Sequence, residues 1–301
     1  MLVIGSRGSQ LALWQSRWVQ ARLAELGKES RIEIIHTTGD KVLDVALSKV
    51  GTKGLFTKEI EEALQNEAID LAVHSLKDMP TDLPPGLTLA AIPAREDARD
   101  ALVGSTLANL KQGARVGTSS LRRAAQLKAL RPDLDLQTIR GNVDTRLRKL
   151  DEGQFDAIVL ASAGLRRLGW EGRITEYLGS DVMVSAVGQG ALAIETREDD
   201  GAGHCVCRLL DDARTRACVT AERAVLATLG GGCQVPIGAH AVYAGAGLHL
   251  DAVVAAPDGS RSIRKSADGA VVEAEPLGRS LGLELLDAGG REILEAVYAA
   301  G

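Results

Sequence analysis

The sequence predicts an α/β fold in two serial units, followed by a small α+β region with an antiparallel sheet. Three observations carry this. Short β-like runs alternate with helical stripes over the first ninety residues, the alternation restarts near residue 114, and from about residue 211 a long helix precedes grouped β-like runs. In chain order, Leu2 to Gly5 reads as a strand. Leu11, Trp14, Trp18, Leu23 and Leu26 form a helical stripe with Ser9 placed to cap it. Arg31 to His36 and Asp70 to His74 read as strands, separated by a helix marked by Leu55, Ile60, Ala63 and Leu64. Pro80, Pro84, Pro85 and Gly86 punctuate a loop before a strand over Leu87 to Ile92.

The second unit repeats this style. Strands are expected at Ala114 to Gly117, Leu134 to Ile139 and Phe155 to Leu160. Helices are expected from Ser119 or Ser120 to Leu130 and from Val143 to Leu150. Two such units suggest similar lobes facing a cleft, with crossovers at Ala94 to Asp100 and at Val187-Gly188-Gln189-Gly190-Ala191. Beyond them, Ala213 to Leu229 reads as one long helix. Turn signals at Pro257-Asp258-Gly259 and Asp268-Gly269 separate strands, and a final helix is expected near Leu281 to Tyr298.

Composition narrows the function. Among 301 residues, 35 Lys+Arg against 40 Asp+Glu leave a net charge of −5, which disfavours a nucleic-acid partner. Eight aromatic residues (two Phe, three Trp, three Tyr) are too few for base stacking. No apolar run approaches the ~20 residues that span a bilayer, so no membrane association is expected. The opening residues lack the order of a signal peptide and four cysteines make no disulfide framework, so the cytoplasm is the expected compartment.

The net charge hides a basic segment. Lys111 to Leu150 holds ten Lys+Arg against three Asp, a local net of +7. Gly117-Thr118-Ser119-Ser120-Leu121-Arg122-Arg123 follows a strand and opens a helix, offering backbone N–H groups, hydroxyls and two guanidinium forks to one anion. Arg140-Gly141-Asn142, with Arg146 further along, repeats the arrangement, and Arg7 sits at the first such turn. Carboxylates suit these forks better than a nucleotide, since no phosphate-binding loop is present. Lys111, Arg115, Lys128, Arg131, Arg148 and Lys149 are read as cations that solvate helix surfaces.

His74-Ser75-Leu76-Lys77-Asp78 ends a strand and sets a cation beside a carboxylate that can stabilise a developing positive charge; a loop salt bridge is the plainer alternative. Cys233 lies in Gly230-Gly231-Gly232-Cys233-Gln234-Val235-Pro236, where glycines open space around the sulfur for a nucleophilic or modified thiol, although lone cysteines usually fill cores. Cys205 and Cys207 lack a second pair at metal-ligand spacing. They are read with Cys218 as structural, and no metal is expected.

Together these fragments resemble the porphobilinogen deaminase (hydroxymethylbilane synthase) family. The resemblance is carried by Gly5-Ser6-Arg7-Gly8-Ser9-Gln10-Leu11, Thr38-Gly39-Asp40, Lys53-Gly54-Leu55-Phe56-Thr57-Lys58-Glu59 and His74 to Asp78. It continues through Gly117 to Arg123, Arg140 to Val143, Ala163-Gly164-Leu165-Arg166-Arg167, Val187 to Gly190 and Gly232 to Pro236. The resemblance implies two periplasmic-binding-protein-like lobes with mainly parallel sheets and a small α+β third domain. Its expected divisions are residues 1–93 with 191–210, 99–185, and 211–301.

The resemblance further implies a cytoplasmic, monomeric transferase of tetrapyrrole, hence heme, biosynthesis. Such an enzyme joins four porphobilinogen units on a covalent dipyrromethane cofactor, releases ammonia at each addition, and frees the linear tetrapyrrole by hydrolysis. On this footing Asp78 is the catalytic carboxylate and Cys233 the thioether attachment. Lys77, Thr118, Ser120, Arg122, Arg123, Arg140 and Arg146 match cofactor contacts. Arg7, Ser9, Arg140, Arg146, Arg167, Gln189 and Phe56 match the substrate side. The competing class is a binding protein for an anionic metabolite, which two lobes and arginines would serve but which has no use for a thiol in a glycine loop.

Overall fold

The computed structural model describes residues 1–38, 57–198, 201–231 and 235–300. Thirteen strands and nine helices of these residues are used below. The strands are β1 Leu2–Ser6, β2 Ser30–Ile34, β3 Leu71–Ser75, β4 Leu87–Ala91, β5 Asp100–Val103, β6 Arg115–Gly117, β7 Asp135–Gln137, β8 Ala157–Ala161, β9 Glu176–Leu178, β10 Leu192–Arg197, β11 Ile237–Ala244, β12 Gly247–Ala255 and β13 Ser262–Ala270. The helices are α1 Gln10–Glu25, α2 Lys58–Gln65, α3 Leu121–Leu130, α4 Val143–Asp151, α5 Ser162–Arg167, α6 Ala202–Cys207, α7 Ala213–Thr228, α8 Ala274–Leu285 and α9 Arg291–Ala300.

The chain forms two compact units, one of residues 1–96 and 191–216, the other of 97–190 and 217–300. The first is built on a sheet of order β2-β1-β3-β10-β4, in which β2, β1 and β3 pair in parallel and β10 pairs antiparallel with both its neighbours. The second unit carries a sheet of order β7-β6-β8-β5-β9 with the same scheme, β5 being the reversed strand. Four of the five strands in each sheet thus share one direction. The reversed strand follows a crossover in both cases, since β5 comes just after residues 94–99 and β10 just after 187–191. The expected α/β class holds, and both crossover segments fall where the sequence placed them.

Alternation explains why both sheets are buried on two faces. Leu71 and Val73 join Ile4, Val19, Leu23 and Ile194 on one side of the first sheet, while Ala72 between them joins Ile60, Leu64 and Ile69 on the other. In the second sheet Ala157 and Val159 pack with Leu102, Val116 and Leu127, and Ile158 and Leu160 with Ala101, Val103 and Leu147. Ser9 caps α1 as its sequence suggests, accepting from the Ala12 N–H at 3.3 Å. Gln15, Val19 and Leu23, at four-residue steps along α1, are its buried stripe.

The second unit also holds the antiparallel sheet β11-β12-β13, covered on one face by α7 and α8. Gly278 lets these helices touch: a Cβ there would stand 2.1 Å from the Ala221 carbonyl oxygen. Two expectations fail in this region. Asp268-Gly269 is no turn but lies within β13, where Asp268 pairs with His249; the turn after β11 is made at Gly245, with φ of 61°. The closing helix is two helices, because Gly289 takes a φ of 103° and breaks α8 from α9. No helix among the described residues is long and apolar enough to cross a membrane.

Candidate active site

Parallel pairing fixes where the chemistry sits. In the first unit β1 and β3 lie side by side in parallel, so their carboxyl ends, carrying Arg7 and Lys77-Asp78, meet at one edge of the sheet. Asp78 is presented by a short turn over Leu76–Asp78. The turn is anchored on both sides: Leu76 is 1% and Met79 3% exposed, Leu76 N–H donates to the Ala191 carbonyl at 3.0 Å, and Met79 N–H donates to the Leu76 carbonyl at 3.0 Å. Between these buried anchors Asp78 is exposed and Lys77 half-buried. An apolar residue on each side fixes the backbone and leaves the carboxylate outside.

Two further contacts stiffen this edge. The amide of buried Gln15, on α1, donates to Ser75 Oγ at 2.9 Å. One residue earlier, His74 Nε2 is 3.0 Å from Glu195 Oε2 of β10, both side chains buried. Arg7 is half-buried in the turn after β1, and the Ser9 oxygen beside it is engaged as the helix cap while its O–H remains a donor.

In the second unit the exits of β7, β6 and β8 share an edge, again by parallel pairing. Thr118 is buried and its Oγ1 accepts from Ser120 N–H at 3.2 Å; Ser120 Oγ caps α3 by accepting from Arg123 N–H at 3.4 Å. Ser119 Oγ donates to the Ile139 carbonyl, joining the exits of β6 and β7. At the β7 exit Gly141, with φ of 112°, turns the chain into α4, and Arg146 Nε closes the turn by donating to the Gly141 carbonyl at 2.8 Å. Arg140 and Arg146 are half-buried there. At the β8 exit, Arg167 Nη2 donates to the Gly190 carbonyl at 2.7 Å.

Arg122 and Arg123 lie deeper than the sequence suggested, at 4% and 6% exposure, and they share one counter-ion that sequence reasoning missed. Asp100, the fully buried first residue of β5, accepts from Arg122 Nη1 at 2.7 Å and from Arg123 Nε at 2.9 Å. Gln189, also fully buried, donates to the same carboxylate at 3.0 Å and to the Ala98 carbonyl at 2.7 Å. Its amide therefore faces the interior. Burial by itself would raise the Asp100 pKa, but the charges of Arg122 and Arg123, with hydrogen bonds from Arg122 and Gln189, outweigh it and hold the carboxyl well below the usual range. Two guanidinium groups against one carboxylate leave the cluster one positive charge in excess. The signal for Asp100 was present: an acid opening the wholly buried strand Asp100-Ala101-Leu102-Val103 requires a cation.

Other cations of the basic segment, expected to solvate helix surfaces, instead make ion pairs and carbonyl bonds, and Arg115 stands on strand β6. Arg115 pairs with Asp156 at 3.2 Å, Arg131 with Asp133 at 2.8 Å, and Lys128 donates to the Pro132 carbonyl at 3.2 Å. Of the three cysteines read as structural, Cys207 and Cys218 are buried and Cys205 is exposed. Phe56 and Cys233, together with Gly39-Asp40 and residues 53–55 of the quoted motifs, lie outside the described residues.

Polar and cationic groups gather at the strand exits of each unit, and in the second an excess positive charge is fixed beneath them, which defines an α/β protein whose strand exits offer positive charge to an anion. Residues 2–204 match the family model described as "Porphobilinogen deaminase, dipyromethane cofactor binding domain", and residues 216–287 match that of the C-terminal domain of the same enzyme. A porphobilinogen deaminase of Syntrophobacter fumaroxidans is 53% identical over 99% of this chain and 98% of its own. One of Roseiflexus sp. is 55% identical over 97% and 98%. Among solved structures, a periplasmic substrate-binding protein of an ABC transporter from Coxiella burnetii overlays with a TM-score of 0.43 at 13% identity, covering 70% of this chain and 91% of that one. The chain belongs to the porphobilinogen deaminase family and carries its dipyrromethane cofactor-binding domain.

Proposed function

We propose that this chain joins four porphobilinogen molecules head to tail, releasing one ammonia per addition, and then hydrolyses off the linear tetrapyrrole. The observation that carries the reading is the presentation of Asp78, an exposed carboxylate locked between two buried anchors at the strand edge that also bears Arg7 and Lys77. As the C–N bond to the departing ammonia breaks, positive charge develops on the substrate carbon, and a carboxylate held in place stabilises it without first having to reorient. The same group is suited to pass a proton to the leaving amine or take one from the new ring junction.

The cofactor fits the residues present. Dipyrromethane bears acetate and propionate groups, and the Arg122–Arg123–Asp100 cluster has one positive charge in excess to offer them. When bound, the cofactor supplies the pyrrole carbon to which the first unit is added. Cys233 would hold it by a thioether. Lys77, Thr118, Ser120, Arg122 and Arg123 are read as its polar contacts, and Arg140 and Arg146 as contacts shared with substrate. Arg7, Ser9, Arg167 and Phe56 are read on the substrate side, with Gln189 acting there from the interior. Residues 211–301 form the proposed third domain, after lobes of residues 1–93 with 191–210 and of 99–185. A monomer working in the cytoplasm, with no nucleic-acid or membrane partner, completes the reading; its support is the acidic net charge and the sparse cysteines.

Two variants test this. Asp78→Asn should fold and carry the cofactor yet lose about 100-fold or more in turnover, the scale on which removing one transition-state charge partner acts. Intact mass spectrometry should find the wild-type chain heavier by two linked pyrrole units and Cys233→Ser without that increment. Normal turnover in Asp78→Asn, or active protein of unmodified mass, refutes the reading.

A further inference from the structure

We propose that Asp100 is the positioning residue of the basic site, holding the Arg122 and Arg123 guanidinium groups in fixed orientation toward ligand carboxylates, with Gln189 and Glu222 holding Asp100's surroundings in register. The proposal rests on the reading that these two arginines bind carboxylates of the cofactor, and extends their hold to the porphobilinogen unit that is being joined to it. It comes from a continuous set of contacts within the second unit. Asp100 bonds Arg122 through both oxygens, at 2.7 and 3.3 Å, and bonds Arg123 through one, so neither fork can rotate independently of the other. Val184 O and Val159 O take a further hydrogen from Arg122 and from Arg123, at 2.8 and 3.0 Å.

The segment 184–190 is fastened at three points. Gln126 bonds both polar groups of Val184, accepting from its N–H at 2.8 Å and donating to its carbonyl at 3.1 Å. Gln189 donates to Asp100 at 3.0 Å. Glu222, fully buried on α7, accepts from Gly188 N–H at 2.7 Å through one oxygen and from Ala241 N–H of β11 at 2.8 Å through the other. One carboxylate thus ties this loop to the antiparallel sheet, and the loop in turn fastens Asp100. Flexible arginines would lose side-chain freedom on every binding event; arginines already bonded into this frame have lost it on folding. Each guanidinium keeps N–H groups beyond those that Asp100 and the carbonyls occupy, and the cluster keeps its excess charge.

The test uses the full-length enzyme as purified. Asp100→Asn preserves shape and removes the charge that both forks share. It should fold, as judged by circular dichroism, and raise the KM for porphobilinogen at least about tenfold while kcat falls less, the signature of lost binding rather than lost chemistry. In Asp100→Ala, sodium formate should restore the KM, and sodium chloride at equal ionic strength should not. If Asp100→Asn does not fold, Gln189→Met decides, since it removes the bond that steadies Asp100 together with the bond to the Ala98 carbonyl; a folded variant with raised KM supports the proposal. Wild-type KM in folded Asp100→Asn, or in folded Gln189→Met where the first variant fails, overturns it. Arg122→Ala and Arg123→Ala separate the two levels. If both arginine variants load cofactor and bind substrate normally, the carboxylate-binding reading has failed. If they are impaired while folded Asp100→Asn is not, only the positioning role has failed.

Discussion

Asp78 and Asp100 show how one residue type is put to opposite uses. Asp78 is left exposed between buried apolar neighbours, and Asp100 is wholly enclosed by its cations. The thiols divide in the same way. Burial, and the nearby Asp70, push the Cys207 thiol up to about 12, so almost no thiolate forms at neutral pH, whereas Cys205, two residues earlier on α6, is exposed. Iodoacetamide applied to the native protein at pH 8 should therefore label Cys205 well before Cys207 or the buried Cys218. Peptide mapping reads this directly, and equal labelling of the three would contradict the packing around α6 and α7.

At the scale of elements, caps and stripes were legible because they are local. Ser9 and Ser120 each cap the helix their positions suggested, and the strand exits bearing Arg7, Lys77-Asp78, Arg122-Arg123 and Arg140 follow from strand–helix alternation. Asp268-Gly269 has the composition of a turn, but its cross-strand partner His249, distant in the sequence, holds it in a strand. Close helix packing is equally invisible to local pattern. Gly278 is the instance, and its replacement sets two effects in opposition. Gly278→Ala gains about 1 kcal/mol of helix propensity, but the new Cβ meets the Ala221 carbonyl, backbone that cannot rotate away. Overpacking of this kind costs about 1–3 kcal/mol, so the variant should be less stable in urea denaturation. A stabilised Gly278→Ala would mean that α7 and α8 separate at little cost.

For the whole molecule, one buried acid in each unit contributes a pH dependence opposite in sign to the other's. In the first unit, burial and the neighbouring Glu195 carboxylate raise the pKa of Glu61 above its ordinary 4.5. A raised folded pKa gives stability that is complete below the ordinary value and is lost as pH rises through the folded one. In the second, the depressed pKa of Asp100 gives stability that is complete above the ordinary carboxylate range and is lost as pH falls below it. Of these two effects, only that of Glu61 should operate between pH 5 and pH 8. Wild type should then lose more unfolding free energy over that interval than Glu61→Gln does, measured by denaturant titration at both values. Parallel losses would remove Glu61 from the account.

The sequence by itself determined the α/β class, the crossovers, the helix caps and the list of cations and acids at strand exits. Each of these is written in residues near one another along the chain, as periodicity, a capping hydroxyl or a glycine before a helix. Only the tertiary structure decided which charges neutralise which. Asp100 lies more than twenty residues from Arg122 and nearly ninety from Gln189, and it is the pairing of β5 beside β8 that brings a crossover acid under the arginines of α3. Burial made that pairing obligatory, since an acid enclosed in a strand between two apolar layers is stable as a charge only against a cation supplied from elsewhere in the fold.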